Sequence, residues 1–289
     1  MALHLQNKYA LVTGASRGLG LEMAIAMGEA GLSGITITAA PGSDETSAQI
    51  ENELQAAISM IEKTGTKVNA IFSDVGRSDD CQNAVDSHMK SSPSLDILIN
   101  NAGKAGRYAH RGVTDNDISG HDPAGIAEII ETNLCGPYFM LHHALEYMRR
   151  ASVARIINIS KRTESMHRKA WTPYGPTKAA LEAATIAWAE SLSETGVTVN
   201  TLSPGGAVNT KFGTGEISGH GIDPRTIRPI TVWLASDASE AFNGCRFVAD
   251  RWDSTLSARE AALGCQEPQI FPRPQRDTPL KRAWMEDKS

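Results

Sequence analysis

Tyr174 and Lys178 stand four residues apart in "YGPTK", a spacing that places both on one helix face about one turn apart. A free phenol titrates near pH 10 and is a poor base at neutral pH, whereas a neighbouring ammonium favours the phenolate. The pair is therefore a candidate acid/base that exchanges a proton with a substrate oxygen. Just upstream, the apolar run 155–160 ends in the hydroxyl of Ser160, and Lys161 follows it. Asn133 lies in a long helical pattern, with Pro137 four residues later. Proline lacks an N–H and its ring crowds the carbonyl four residues back, which frees the Asn133 carbonyl to hold a water. Near the start of the chain, "TGASRGLG" (13–20) directly follows an apolar run and opens a helical pattern. Glycines in such a turn let backbone amides approach a pyrophosphate at a helix N-terminus.

Positioning these residues requires a regular scaffold. Apolar runs at 9–13, 35–39, 67–73, 97–100, 155–160, 198–202 and 246–249 alternate with helical patterns at about 18–30, 44–63, 78–91, 123–149, 175–194 and 224–236. That alternation predicts an α/β fold, a three-layer Rossmann-type doubly wound parallel sheet of about seven strands. We expect one catalytic domain over 1–252 and a C-terminal extension over 253–289. There Pro268, Pro272, Pro274 and Pro279 crowd a charged stretch that reads as an arm or a disordered tail.

Hydrophobic residues at 41% and charged residues at 21% are ordinary for a soluble protein. The net charge of −5 argues against a nucleic-acid partner, which needs clustered surplus Lys and Arg. No apolar run approaches the ~18 residues that span a bilayer. The first residues run straight into a strand pattern without a secretory core. The four cysteines show no CxxC spacing and the eight histidines no metal-ligand spacing. Reduced thiols, no metal and a cytoplasmic location are the expectation.

The GxxxGxG spacing of 14–20, "NNAG" at 100–103, Asn133, "YGPTK" and "SPGGAVNT" at 203–210 occur in this order. Together, over roughly residues 6–250, they resemble the short-chain dehydrogenase/reductase family. The resemblance implies an oxidoreductase that interconverts a ketone and a secondary alcohol while a nicotinamide carries the hydride. Tyr174 would then be the general acid/base. Lys178 would tune it and hold the nicotinamide ribose, and a water on the Asn133 backbone would relay protons to Lys178. The resemblance also implies cofactor contacts from Gly14, Ser16, Arg17, Gly18, Leu19 and Gly20, and from Ala39, Asp74 and Val75. Further contacts would come from Asn101, Ala102, Gly103, Tyr174, Lys178, Pro204, Gly205 and Thr210. It implies a homodimer or homotetramer through the helices at 123–149 and 175–194.

Several positions depart from that pattern or refine it. Enzymes selecting NAD usually carry an acid at the end of the second strand; here Ala39 and Ala40 stand there. Arg17 is placed to pair with a 2′-phosphate, so NADP is expected over NAD. Asp74 reads equally well as a cap for the next helix. The family's substrate-binding serine usually lies thirteen residues before the tyrosine, and that position is Lys161. We assign the role to Ser160 through a one-residue shift at the strand end; Lys161 and Thr163 are alternatives. A third outcome is an impaired site, which would make the chain a weak NADP(H)-binding sensor or partner protein.

The loop 104–111 carries Lys104, Arg107 and Arg111, and the loop 161–169 carries Lys161, Arg162, Arg168 and Lys169 against Glu164. Six surplus charges at the carboxyl edge of the sheet favour an anionic substrate. The short lid region 211–223, with Phe212, leaves an open pocket or one covered by the tail through Phe271 and Trp284. Asp250, Arg251 and Trp252 replace the family's usual Asp-Gly-Gly.

Overall fold

The computed structural model describes residues 4–43, 46–110, 118–212 and 219–271. The first half contains β1 (Tyr9–Val12), α1 (Gly18–Glu29), β2 (Gly34–Ala39), α2 (Ser47–Glu62), β3 (Lys67–Phe72), α3 (Ser78–Ser91) and β4 (Ile97–Asn100). Then follow α4 (Pro123–Ile130), α5 (Gly136–Arg150), β5 (Ala154–Ile159), α6 (Thr163–Met166), α7 (Tyr174–Ser191) and β6 (Val197–Ser203). The chain continues through α8 (Arg228–Ala235), β7 (Arg246–Val248), α9 (Ala258–Cys265) and β8 (Gln266–Glu267).

The strands form one sheet in the order β3-β2-β1-β4-β5-β6-β7-β8. It is parallel up to β7, and β8 pairs antiparallel with β7. Every residue of β2, β5 and β6 is buried, because helices cover both faces and no strand residue can turn to water. One apolar layer gathers Met23, Met27, Ile61 and Trp233 on one face; the other gathers Met140, Met148, Leu181 and Trp188. The order reverses between β1 and β4, so the loops leaving β1, β4, β5 and β6 open into one crevice at their carboxyl ends. That crevice is where ligands of such sheets bind.

Two elements differ from the sequence expectation. The segment after residue 252, expected as an arm, packs as helix and strand as far as Glu267. Ser257 and Glu260 form a reciprocal capping box at the start of α9, and Ala262 and Cys265 enter the core. Only three buried positions mark this short helix, too few to stand out as a period beside the prolines that follow. Pro272, Pro274, Pro279 and Trp284 lie outside the described residues.

The expected continuous helix at 123–149 is interrupted. A π-helical turn, Glu131–Cys135, separates α4 from α5, and Pro137 sits in the first turn of α5. The missing N–H and the bulky ring of Pro137 displace the regular ladder around Asn133 into the wider turn. Among the described residues no helix is long and apolar enough to cross a membrane. All four cysteines are free thiols, with Cys81 and Cys265 buried.

Candidate active site

The turn after β1 is a cradle made of backbone. Gly14 has φ +64°, and a Cβ there would lie 2.9 Å from the Ala102 Cα. The loop leaving β4 therefore rests directly on the glycine turn. α1 starts at Gly18, and its N-cap residue Arg17 makes no side-chain capping bond. The first-turn amides are thus left to an anionic ligand. Thr210, after β6, faces this turn, 3.5 Å from where a Gly18 Cβ would be.

Asn101, expected as a cofactor contact, acts as a pin: its Nδ2 donates to the carbonyls of Thr13 (2.8 Å) and Gly14 (2.9 Å). The Thr13 hydroxyl accepts from the Asn101 and Ala102 amides, each at 3.0 Å. Sequence reasoning missed Thr13, although a hydroxyl opening the glycine motif was the available signal. Asp74 accepts from the Gly76 amide at 3.0 Å in a local turn, and Val75 packs where a Gly136 Cβ would collide. Ser16, Leu19 and Gly103 stay partly exposed along the crevice, while Gly20, Ala39, Pro204 and Gly205 are buried in its walls. The turn fits a dinucleotide: Gly14 and Ala15 donate to Thr38, the α1 amides carry no side-chain cap, and a side chain at Gly14 would fill the space.

Arg17 reaches Glu53 on α2 at 2.7 Å, and Lys211, beyond β6, meets the same carboxylate at 3.1 Å. Burial pushes the Glu53 carboxyl up. Bonds from Gln49 and Lys211 and the charges of Arg17 and Lys211 outweigh it and hold it below the usual range. Neither Glu53 nor Lys211 stood out in the sequence, because each is one charge on an ordinary polar face.

At the other end of the crevice, Tyr174 opens α7 and is 8% exposed. Its ring packs with Ala109 and Ile129, and the rings of Trp171 and Phe212 lie 6.1 and 5.6 Å away. Lys178 Nζ donates to the Ile159 carbonyl at 2.8 Å; burial lowers its pKa to about 8, with Glu182 opposing. Burial pushes the Tyr174 phenol well up. The Lys178 ammonium is held by the β5 backbone, with Glu182 one helical turn beyond it. At neutral pH the phenol keeps its proton.

Asn133 is fully buried. Its amide donates to the Lys104 carbonyl (2.9 Å) and to Thr177 Oγ1 (3.2 Å), and its oxygen accepts from the Lys104 amide at 2.7 Å. It thereby ties the π-helical turn to the β4 loop and to α7.

Ser160 is not brought to this group. Its hydroxyl is buried and helps hold down the Glu182 carboxyl, although it makes no hydrogen bond of good geometry. Lys161, the alternative, lies beside the Tyr174 ring. The Lys161 ammonium lies 3.7 Å from the Trp171 ring centre and 4.7 Å from that of Tyr174, and it donates to the Ser165 carbonyl at 3.1 Å. Burial, with Lys178 and Arg168 adding repulsion, pushes its pKa down to about 7. The spacing of thirteen is kept because consecutive residues leaving a strand point to opposite faces, which turns Ser160 away when Lys161 faces Tyr174. Gly175 secures the arrangement: a Cβ there would lie 2.2 Å from the Met166 carbonyl, so α6 rests directly on the first turn of α7. Thr163 only opens α6.

Residues 8–218 match the family model described as short chain dehydrogenase. The chain belongs to the short-chain dehydrogenase family. It is 33% identical to the L-xylulose reductase of Aspergillus niger, over 75% of this chain and 73% of that protein. It is 26% identical to the 2-dehydro-3-deoxy-D-gluconate 5-dehydrogenase of Formosa agariphila, over 83% of this chain and 90% of that protein. Among solved structures it resembles a blue fluorescent protein from a metagenomic library in complex with NADPH. That likeness has TM-score 0.73 at 25% identity, over 86% of this chain and 98% of the other. This short-chain dehydrogenase is thus an NAD(P)-dependent oxidoreductase acting on alcohol or ketone substrates.

The charge around the dehydrogenase's crevice is smaller than the sequence count. Lys104 pairs with Glu128 of α4 at 3.2 Å, and Arg162 lies 4.0 Å from Asp250 beyond β7. Both acids come from segments that the loop-by-loop count left out. Arg111 lies outside the described residues, as do 213–218 of the lid region. Phe271, expected as a tail anchor, is exposed; the Phe212 ring lies 5.6 Å from that of Tyr174.

Proposed function

We propose that this short-chain dehydrogenase uses NADP(H) to interconvert the ketone and secondary alcohol of an anionic substrate, with Tyr174 as acid/base and Lys161 in place of the usual serine. The observation that carries this reading is the Lys161 ammonium 4.7 Å from the Tyr174 ring centre. When bound, the nicotinamide supplies or accepts the hydride. The glycine turn and the α1 amides would hold its pyrophosphate, and Lys178 its ribose.

Tyr174, its proton retained by burial, would give that proton to the substrate oxygen during reduction. The phenolate left behind gains from the Lys161 ammonium, 4.7 Å from the ring centre. An ammonium also makes stronger bonds to a developing alkoxide than a neutral hydroxyl does. Asn133 would hold the β4 loop in register with Tyr174. For substrate charge, Arg168 stands near Lys161, and one relative is named for a gluconate, itself a carboxylate. For NADP, β2 ends without an acid, and Arg17 and Lys211 supply two cations.

The charge reading is tested with 5-dehydro-D-gluconate against neutral L-xylulose, following NADPH absorbance. Lys161→Met should lower kcat/KM for both ketones by about 10²-fold and raise KM only for the charged one. A lysine is charged below its pKa, so the attraction is strongest well below pH 7, half lost at about pH 7, and fades further as pH rises. KM for the gluconate should climb between pH 6 and pH 8, and about 0.5 M NaCl should raise it further. A KM indifferent to both pH and salt would defeat the anionic-substrate reading.

The cofactor reading has its own arm. Glu53→Gln should tighten NADPH binding about 3- to 10-fold by releasing Arg17 and Lys211, with NADH binding unchanged, as read by calorimetry. Weaker NADH binding with no gain for NADPH would make Glu53 a ribose ligand and reverse the preference.

A further inference from the structure

Behind the two lysines lies a buried charge cluster that the reaction above does not use. Arg246 on β7 is 1% exposed and reaches in three directions. Nη1 pairs with Glu182 on α7, Nη2 donates to the Lys161 carbonyl at 2.8 Å, and Nε meets Glu267 on β8 at 3.1 Å. The other oxygen of Glu182 accepts from Thr201 at 2.9 Å. Glu182 lies one helical turn beyond Lys178 and is the acid that opposes the fall of its pKa. Glu267 also pairs with Arg251. One guanidinium therefore joins the C-terminal strand, the backbone of Lys161 and the counter-charge of Lys178.

We propose that Arg246, clamped by Glu267, is a positioning residue that fixes the Lys161 backbone and sets the charge that Glu182 presents to Lys178. The inference rests on the roles proposed above for Tyr174 and the two lysines. A planar fork holds its donors in fixed directions toward three separated acceptors, whereas a lysine ammonium is one compact charge whose three donors rotate together. A buried carboxylate stays ionised only while it is paired. Burial pushes Glu182 up, Arg246 and the Ser160 and Thr201 hydroxyls pull it down, and Glu267 pushes it up again.

Without Arg246, Glu182 takes a proton and Lys178 loses its support. Without the Glu267 charge, Glu182 is more fully ionised and Lys178 gains. The other groups facing these sites are fixed. Lys161 faces Lys178 from the β5 loop, Arg168 faces Lys161, and Tyr174 precedes Lys178 on α7. Arg162 and Asp250 sit together further out.

The test uses the full chain labelled with carbon-13 lysine, titrated through the Cε resonances and assigned with Lys178→Met and Lys161→Met. Arg246→Met should lower the Lys178 midpoint by about one unit, and Glu267→Gln should raise it by a few tenths. Arg246→Lys should leave that midpoint in place but speed amide exchange across 161–171, since the fork to the Lys161 carbonyl is lost. If Arg246→Met does not fold, Glu267→Gln decides alone. Midpoints that stay put, or move together in one direction, would overturn the inference and leave Arg246 a packing residue. Turnover of NADPH by Tyr174→Phe is measured in parallel. Retained turnover with shifted midpoints would sink the acid/base reading while leaving the Arg246 coupling standing.

Discussion

Tyr174→Phe is expected to lower kcat by about 10³-fold while NADPH affinity changes less than about threefold, the scale of a lost general acid. Such a loss equals roughly 4 kcal/mol of transition-state stabilisation. The substitution deletes one oxygen and keeps the ring that packs on Ala109, Ile129, Trp171 and Phe212. A fall in rate at constant binding therefore reports the proton and not the packing. Lys161, with its pKa pushed to about 7 and its ammonium 4.7 Å from the ring centre, is placed to substitute as a donor. If Tyr174→Phe costs less than about tenfold, Lys161 is the acid and the assignment of roles between the two is reversed. Stopped-flow absorbance at 340 nm separates binding from turnover.

Gly14→Val is expected to weaken NADPH by about 100-fold or more, near 3 kcal/mol, and to lower Tm by several degrees. Two costs add. The φ of +64° is strained for a β-branched residue. The new side chain also meets the Ala102 backbone, whose Cα would be 2.9 Å from the Cβ. Relief can come only by moving the loop after β4, which Asn101 and Thr13 pin to the glycine turn. The two variants should dissociate cleanly: one binds normally but turns over slowly, the other binds poorly. NADPH affinity within threefold of wild type in Gly14→Val would show that the cofactor does not use this turn.

The sheet was largely legible because parallel strands buried on both faces read as short, mostly apolar and β-branched runs; β3, exposed at Lys67 and Phe72, and the two-residue β8 are the exceptions. Pro137 announced the break near Asn133, since only proline removes both a donor and the space for the regular ladder. Ser160 and Lys161 were harder. Which of two adjacent residues faces Tyr174 depends on where β5 stops, and Gly175 settles that by close contact with α6, a long-range fact. Glu182, Glu53 and Arg246 stayed hidden because each is a single charge whose partners come from α7, α2, β7 or β8. The arm expected after Trp252 failed for the opposite reason: prolines beyond residue 267 coloured the reading of a short, capped helix before them.

The central claim is that Tyr174 supplies the proton while bound NADPH delivers hydride to a ketone carbon. It is tested most directly with NADPH deuterated at C4 and a panel of 5-dehydro-D-gluconate, L-xylulose and phenanthrenequinone. The account predicts deuterium on the carbinol carbon of at least one product with the wild-type chain. It predicts none above background with Tyr174→Phe, although that variant still binds the cofactor. Tight NADPH binding with no label transferred to any ketone by the wild type, or equal transfer by Tyr174→Phe, would contradict it.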